Sequence, residues 1–361
     1  MALSNSLQEF HAYAQYALSE GMKTSLFKVP TLLAAVSSKQ AVSGSMGEPG
    51  QSAVIGKPVS AAKRKSLGGS TQRHIFFQTS RVGGGKYLSE DGTTSSTGAA
   101  RHDKKKRSTA VSWSFYEQPI SIRNNALRMA GDGYEIGSVI EDAVQMAMNE
   151  ACEQIAGDLW NGSPTSQSAD VYDDLIGVDQ WVDDDNTIGT IDRSSVTGFN
   201  GVREDSATTI SLSTIDDAAL DATSGLSLFG GRSDLALTTS GVYNNLKQEA
   251  LAAGGQLMFS EKPKGQPVGF EGEYINYNNT MICFDPYATN AAGSANYFLL
   301  TDSSTWCFET HTAENWRVIP FKNLADDSVP GADDLTVSKI RIGMRFINEQ
   351  PWKSKLYADA S

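Results

Sequence analysis

Cysteine and histidine are both scarce in this sequence. Cys152, Cys283 and Cys307 are its three cysteines, far apart and without a C-x-x-C pair. Neither a disulfide framework nor a zinc site is indicated, and a reducing compartment is the simpler setting. His11, His74, His102 and His311 have no HxxxH or HxH partner, so no pattern supports histidine metal ligation or a histidine general base. A G-x-S-x-G elbow and a Cys–His pairing by spacing are also missing. No apolar run is long enough to span a bilayer. The start, MALSNSLQEFHAYAQYALSEG, has neither a basic beginning nor a continuous apolar stretch, and does not read as a secretory signal. The expectation is a soluble protein made in a cytoplasm, with no membrane contact, no catalytic group, no cofactor and no metal.

What the chain does have is length and acid. Its 361 residues, 40% hydrophobic and 20% charged, suffice for one large or two modest domains with true cores and argue against global disorder. The net charge of −12 argues against a protein whose main task is wrapping nucleic acid, since phosphate binding needs clustered Lys and Arg. The charge is unevenly spread. Between Ala61 and Ala110 eleven basic residues face only Glu90, Asp91 and Asp103, a net of +8, which leaves −20 on the rest of the chain. A basic segment and an acidic body in one chain can attract each other between copies.

Five stretches follow from patterning. Residues 1–60 begin with a short amphipathic segment (Leu7, Phe10, Ala14, Ala17, Leu18) and continue without periodicity, which reads as an extended arm. Residues 61–120 read as a long β-hairpin, with HIFFQTSRV and STAVSWSFYEQPISI as strands around a polar, Gly-rich tip. In the second strand Val111, Trp113 and Phe115 alternate with Ser112, Ser114 and Tyr116. A hairpin this long has no evident partner in its own chain, which hints at a neighbour. Within 121–164, residues 132–161 predict a helix of about 40 Å at 1.5 Å per residue. Asp132 and Glu135 form a capping pattern, and Ile136, Ile140, Ala143, Ala147 and Ala151 share a face. Val139, Val144, Met146, Ile155 and Leu159 widen the buried stripe, and Asn161-Gly162 with Pro164 stops the helix. Residues 165–334 read as an acidic α/β region. Its helices are Thr209–Leu220, started by Ser213 and Asp216, and Gly241–Ala253; its strands are Asp234–Thr239, Met281–Phe284, Tyr297–Leu300 and Thr305–Glu309. In 335–361 Ile340, Ile342, Met344 and Phe346 alternate with Lys339, Arg341 and Arg345, as in a half-buried antiparallel strand.

Several sharper motifs dissolve on inspection. Gly83–Lys86 (GGGK) lacks the leading spacing of a phosphate loop and is followed by Tyr87, so it reads as a loop tip. The run Lys104, Lys105, Lys106, Arg107 has no interleaved aromatics of the kind that bind single strands, and reads as a solvated or inter-subunit face. Asp183-Asp184-Asp185 fails the EF-hand pattern, because Thr187 and Ile188 stand where Asp and Gly are needed. Trp160, Trp181, Trp306 and Trp316 read as core or interface anchors, and His311 beside Trp316 as ordinary packing.

The order of these parts resembles the HK97-fold major capsid family of tailed double-stranded DNA bacteriophages. Three passages carry the likeness: DLWNGS followed by LIGVDQWV and IGTIDRS; DLALTTSGVYNNL; and MICFDPYA followed by NYFLLTDSSTWCFE. The resemblance implies an α+β fold with an N-terminal arm (1–60), an E-loop hairpin (61–120), a P domain with a spine helix (121–164), a mainly A-domain region (165–334) and a P-domain return strand with the C-terminus (335–361). It implies a non-enzymatic virion protein that assembles in the host cytoplasm, through hexamers and pentamers, into an icosahedral shell around double-stranded DNA without sequence-specific binding. A portal is a further implied partner, and a decoration protein outside is left open. No long charged helix precedes the arm, so a separate scaffolding protein is expected, or a segment already removed. The covalent cross-link known in this family, a Lys–Asn bond made through a Glu, has no assignable acceptor here; Lys86 is a donor by location only. The candidate inter-subunit contacts are Arg73, Arg81, Lys86, Arg101, Lys104, Lys105, Lys106 and Arg107. The alternative on the same fold is an encapsulin-like nanocompartment shell around a protein cargo; an α/β enzyme is the reading from another class.

Overall fold

The two strands expected of the hairpin form and pair. In the computed structural model, which describes residues 52–54, 72–78, 106–124, 133–194, 196, 199–224, 233–252, 275–277, 280–302, 305–311, 313–314, 316–323 and 335–361, a short β1 (Ser52–Val54) precedes β2 (Gln72–Gln78) and the 18-residue β3 (Lys106–Arg123). β2 and β3 run antiparallel, from Gln72 opposite Ser112 to Gln78 opposite Lys106. β3 spans about 60 Å at roughly 3.3 Å per residue. Its other half, Ser114–Arg123, pairs with a strand from the far end of the chain.

Next comes the 29-residue helix α1 (Gly133–Asn161), about 43 Å long at 1.5 Å per residue. Asp132 and the side chains of Glu135 and Ile136 lie outside what the structure describes. Ile140, Val144, Ala147, Ala151, Ile155 and Leu159 are buried at the steps of three and four that keep side chains on one face. Met146 corrects the sequence reading: it is 70% exposed, because it stands two residues, about 200° of helical rotation, from Val144 and Met148.

The chain then makes β4 (Val171–Tyr172), a single helical turn α2 (Val178–Trp181), a tight hairpin of β5 (Thr187–Ile188) and β6 (Ile191–Asp192), and β7 (Val202–Glu204). Helix α3 (Leu212–Ser224) starts later than expected: Ser211, not Ser213, caps it, its Oγ accepting the Thr214 N–H at 3.2 Å. There follow β8 (Leu235–Thr238), α4 (Ser240–Ala252), β9 (Ile275–Tyr277), β10 (Thr280–Phe284), β11 (Asn296–Thr301), β12 (Trp306–Thr310), β13 (Arg317–Asn323), β14 (Leu335–Asn348) and β15 (Ser354–Ala360).

Two larger sheets result. The first has the order β1-β12-β14-β3-β2, with β13 also on β14 and β4 on β3. The second has the order β7-β15-β11-β8-β10-β9. The segment 335–361, taken as one piece from sequence, is therefore divided: β14 lies in the first sheet, while β15 crosses to the second, between β7 and β11. The α1 stripe packs on the first sheet. One face of the second sheet (Leu235, Leu237, Met281, Leu299, Leu356) shares that core. Its other face (Ala236, Ile282, Phe298, Leu300) is covered by Ile215, Val242 and Leu246 of α3 and α4. With both faces covered, β8 is buried at every residue, which is why it reads as a continuous apolar run.

Buried and partly buried polar groups hold the bends between these elements. Asp179 of α2 accepts hydrogen bonds from Tyr297 of β11 at 3.0 Å and from Arg203 of β7 at 2.6 Å, which ties α2 to the second sheet. The fully buried Arg193 donates to Trp181 O at 2.9 Å and to Asp183 O at 2.5 Å, so the loop that carries Asp183–Asp185 closes around a cation. Trp181 donates to Phe346 O at 3.1 Å and Trp306 to Thr301 Oγ1 at 2.7 Å. These are the anchoring roles expected for indoles with one polar atom.

Candidate functional site

From sequence, the candidate inter-subunit charges lie on the basic hairpin. Of these, Arg81, Lys86, Arg101, Lys104 and Lys105 lie outside the described residues. Lys106 and Arg107 open β3, opposite Gln78 and Phe77, and Arg107 is exposed. Arg73 is turned into its own chain, where its guanidinium pairs with Glu309 and Glu349; the carboxylates it meets are its own.

Those carboxylates belong to a cluster that sequence reasoning missed. Glu309 on β12 stands opposite Arg345 on β14. Arg345 donates from Nη2 and Nε to Glu309 Oε2 at 2.6 and 3.0 Å, and from Nη1 to Val111 O at 3.3 Å. Its guanidinium carbon lies 3.9 Å from the Trp113 ring centroid. Glu309 is 0% and Arg345 1% exposed. Alternation with Ile342, Met344 and Phe346 predicts a solvent face for Arg345. In fact both faces of β14 are covered from Ile342 to Asn348, and the charge survives burial because it is paired. Burial, and then the Arg73 charge, press the Arg345 pKa down, yet a guanidinium keeps its proton. The cluster joins β2, β3, β12 and β14, and so fixes where the hairpin leaves the body. By contrast Lys339 and Arg341 do face outward, both pairing across the sheet with Glu117.

The hairpin's base has intrachain support that its sequence did not disclose. Ser112 and Ser114, which alternate with Val111 and Trp113, are buried as well, and donate to Ala169 O at 2.8 Å and Asp174 O at 2.6 Å. Thr109 donates to Ile188 O at 2.6 Å. Phe77 stacks on Phe199 with ring centroids 4.2 Å apart. The opposite face of β2 presents Phe76, 76% exposed.

Beside the sheet, α1 turns an acidic face outward. The helix holds no Lys or Arg. Glu141, Asp142, Glu150 and Glu153 are exposed, and among the described residues none of the four has a salt-bridge partner. A groove of about 510 Å³ runs between this face and β3, lined by Pro119, Ser121, Met146, Asn149, Glu150 and Glu153 among others. Gln118 spans its edge, donating to Glu150 at 2.6 Å while it accepts from the Tyr116 hydroxyl at 2.6 Å.

At the C-terminal end of α1, the Asp158 carboxyl is pushed up to about 6 by burial and then by Asp174, against the hydrogen bond from Gln154. A carboxylate there also faces the negative end of the helix dipole. Below about 6 the folded chain binds a proton that the unfolded chain takes up only near the ordinary value of 3.8. This group's penalty is thus fully present above pH 6 and relieved as pH falls through that window. Asp158→Asn is expected to raise the melting temperature at pH 7.5, with the gain shrinking toward pH 4 when scanned calorimetrically. An equal gain at both pH values would contradict this origin.

Other sequence candidates fall into place. Cys152, Cys283 and Cys307 are buried, and burial pushes the Cys152 and Cys283 thiols up to about 12. His311 packs edge-on against Trp113 and Phe115. Asp183, Asp184 and Asp185 bring carboxylate oxygens within 4.8 Å of one another on a loop whose local cation is Arg193. No helix among the described residues is long and apolar enough to cross a membrane.

No protein-family model and no curated protein matches the sequence. Solved structures do match the fold. The capsid asymmetric unit of cyanophage A-1(L) superposes with a TM-score of 0.54 at 11% identity, covering 80% of this chain and 88% of that one. The holo-SrpI encapsulin complex of Synechococcus elongatus PCC 7942 gives 0.48 at 9% identity, over 71% and 76%. Mycobacterium phage Bobi gives 0.47 at 12% identity, over 81% and 86%. At such identities the likeness is one of fold, and the cyanophage match carries it: the chain has the α+β, HK97-like capsid fold.

Proposed function

We propose that this chain is the major capsid protein of a tailed double-stranded DNA virus and works by assembling with its own copies. The observation that carries the reading is the match of four-fifths of the chain to a phage capsid subunit. In this reading residues 1–60 are the arm, 61–120 the E-loop, 121–164 the spine part of a P domain, 165–334 mainly the A domain, and 335–361 the return strand and C-terminus. Hexamers and pentamers close an icosahedral shell in the virion. A separate scaffolding protein and a portal take part in assembly, and the protein is not an enzyme.

The physical logic supports it. A shell needs a stiff body and projecting attachments. Here a 29-residue helix packed on a seven-stranded sheet supplies stiffness. A two-stranded ribbon is marginal on its own; the β2–β3 ribbon gains one covered face from Phe199 and Ile188 and leaves Phe76 outward for a neighbour. Each contact is modest, but a closed lattice makes many at once. Arg73 aside, the cations of the hairpin meet acidic surface on an adjacent copy, and the acidic excess elsewhere keeps packaged DNA from sticking.

The test of the cargo is nuclease treatment of assemblies purified from their source, followed by extraction. Protected double-stranded DNA is expected. Particles that enclose a single protein species and no DNA would overturn the capsid assignment in favour of a nanocompartment.

A further inference from the structure

We infer that the end of α1 and the loop 162–177 form a proton-operated clamp on β3, with Asp158 and Asp174 as the two groups that work it. The clamp lies within one subunit and goes beyond the shell reading, on which it does not depend.

The backbone brings the two carboxylates together. The helix ends with Gly162 N donating to Asp158 O at 2.8 Å, and the loop returns to the same point, with Gly177 N donating to Gly162 O at 2.8 Å. The approach is so close that a Cβ on Gly162 would lie 2.5 Å from both Asp158 O and Leu175 O. Asp174 is thereby set against the last turn of α1, where Asp158 stands. Asp174 engages both oxygens in the loop itself: Oδ2 accepts the Ser163 N–H at 2.9 Å and Oδ1 the Leu175 N–H at 2.6 Å. Among the described residues the Asp158 carboxylate accepts the Gln154 amide alone, on Oδ1 at 2.8 Å. Hydrogen bonds to the charged form favour it, so the proton that relieves the pair goes to Asp158.

No cation offsets the pair. The groups that face Asp158 are Asp174 from the loop, Gln154 from its own helix and Tyr116 from β3. The helix adds no Lys or Arg and turns its negative end to the site. Above about pH 6 the charged Asp158 repels the loop, and as pH falls through that value the repulsion ends. The same loop holds β3. It supplies Ala169 O to Ser112 and Asp174 O to Ser114. This is the register at which β3 changes partner: β2 pairs with it up to Ser112 and β14 from Ser114 on. Trp113, between them, is opposed by Val171 of the loop. A looser loop is a looser grip on β3 at the point where its main ladders leave a gap.

The test is hydrogen exchange of the full-length chain at pH 5 and pH 7.5, with each amide corrected for its intrinsic rate. Amides within 163–177 and from Ser112 to Phe115 are expected to exchange about tenfold faster at the higher pH, and Asp158→Asn is expected to remove the difference. No difference in the unaltered chain, or one that survives Asp158→Asn, would overturn the switch. The coupling has its own arm. Ser112→Ala with Ser114→Ala is expected to keep the step within 163–177 and lose it in β3; a step that persists in β3 would overturn the clamp. Carbon NMR of the Asp158 carboxyl identifies the group: a midpoint near 6 is expected, and one at the ordinary 3.8 would overturn the assignment.

Discussion

Glu309→Leu is expected to cost the subunit about 3–5 kcal/mol of unfolding free energy, one of the largest losses any single substitution in this chain can produce. The reason is the company Glu309 keeps. It is fully buried and accepts two hydrogen bonds from Arg345, itself 1% exposed, while Arg73 pairs with its other oxygen. Removing the carboxylate leaves Arg345 desolvated with only Val111 O and the face of Trp113. Removing both charges is a different matter, because well-packed apolar groups replace a buried pair at little net cost. The double variant Glu309→Leu, Arg345→Met is expected to recover most of the loss, with Arg73 still held by Glu349. Urea denaturation of the unassembled subunit measures both. Hydrogen exchange adds a local reading, since the single variant is expected to speed exchange in β2. A loss under about 1 kcal/mol in the single variant, or a double variant as damaged as the sum of its parts, would contradict the role given to the cluster.

Gly189→Ala is expected to be nearly as damaging, for a reason of shape. Gly189 turns the β5–β6 hairpin with φ of +59°, a conformation that costs an L-residue about 1–2 kcal/mol. An added Cβ would also run into Ala110 O and Thr109 Oγ1 of β3. Relief of that collision separates the hairpin from β3 and loses the hydrogen bonds of Thr109 with Ile188 O and with Thr190 N, each worth about 1 kcal/mol. The sum is about 3–4 kcal/mol. Gly293 is an internal control. Its φ is +65° but nothing stands near its missing Cβ, so Gly293→Ala is expected to cost only the conformational part, about 1–2 kcal/mol. Equal losses at the two glycines in denaturant titrations would show that β5–β6 does not brace β3.

Both sites bear on what a sequence reveals. Elements whose burial follows one period were legible: α1 from its steps of three and four, β3 from alternation, β8 and β11 as short apolar runs. Met146 is apolar like the stripe, but its angular position on the helix sets it outside, 70% exposed. Ser112 and Ser114 alternate with Val111 and Trp113, which puts them on the opposite face of the strand without saying what covers it. They are buried because residues 169–174 lie on them and accept their hydroxyl protons, a long-range fact that period two does not contain. Arg345 failed in the same way, since its burial depends on Glu309 and Arg73, respectively 36 and 272 positions away. The crossing of β15 to the second sheet leaves no mark either, because only Glu349, Gln350 and the short turn Pro351–Lys353 separate two strands of similar character. Charge asymmetry, by contrast, was fully visible: the basic stretch and a helix without a single cation are plain in the letters.

The central claim is that this fold is a shell subunit. Size-exclusion chromatography with light scattering, followed by negative-stain electron microscopy of the purified full-length chain with and without a scaffolding partner, tests it most directly. Pentamers, hexamers or closed icosahedral shells are the expected result. A chain that stays a monodisperse monomer or dimer under all conditions would contradict it.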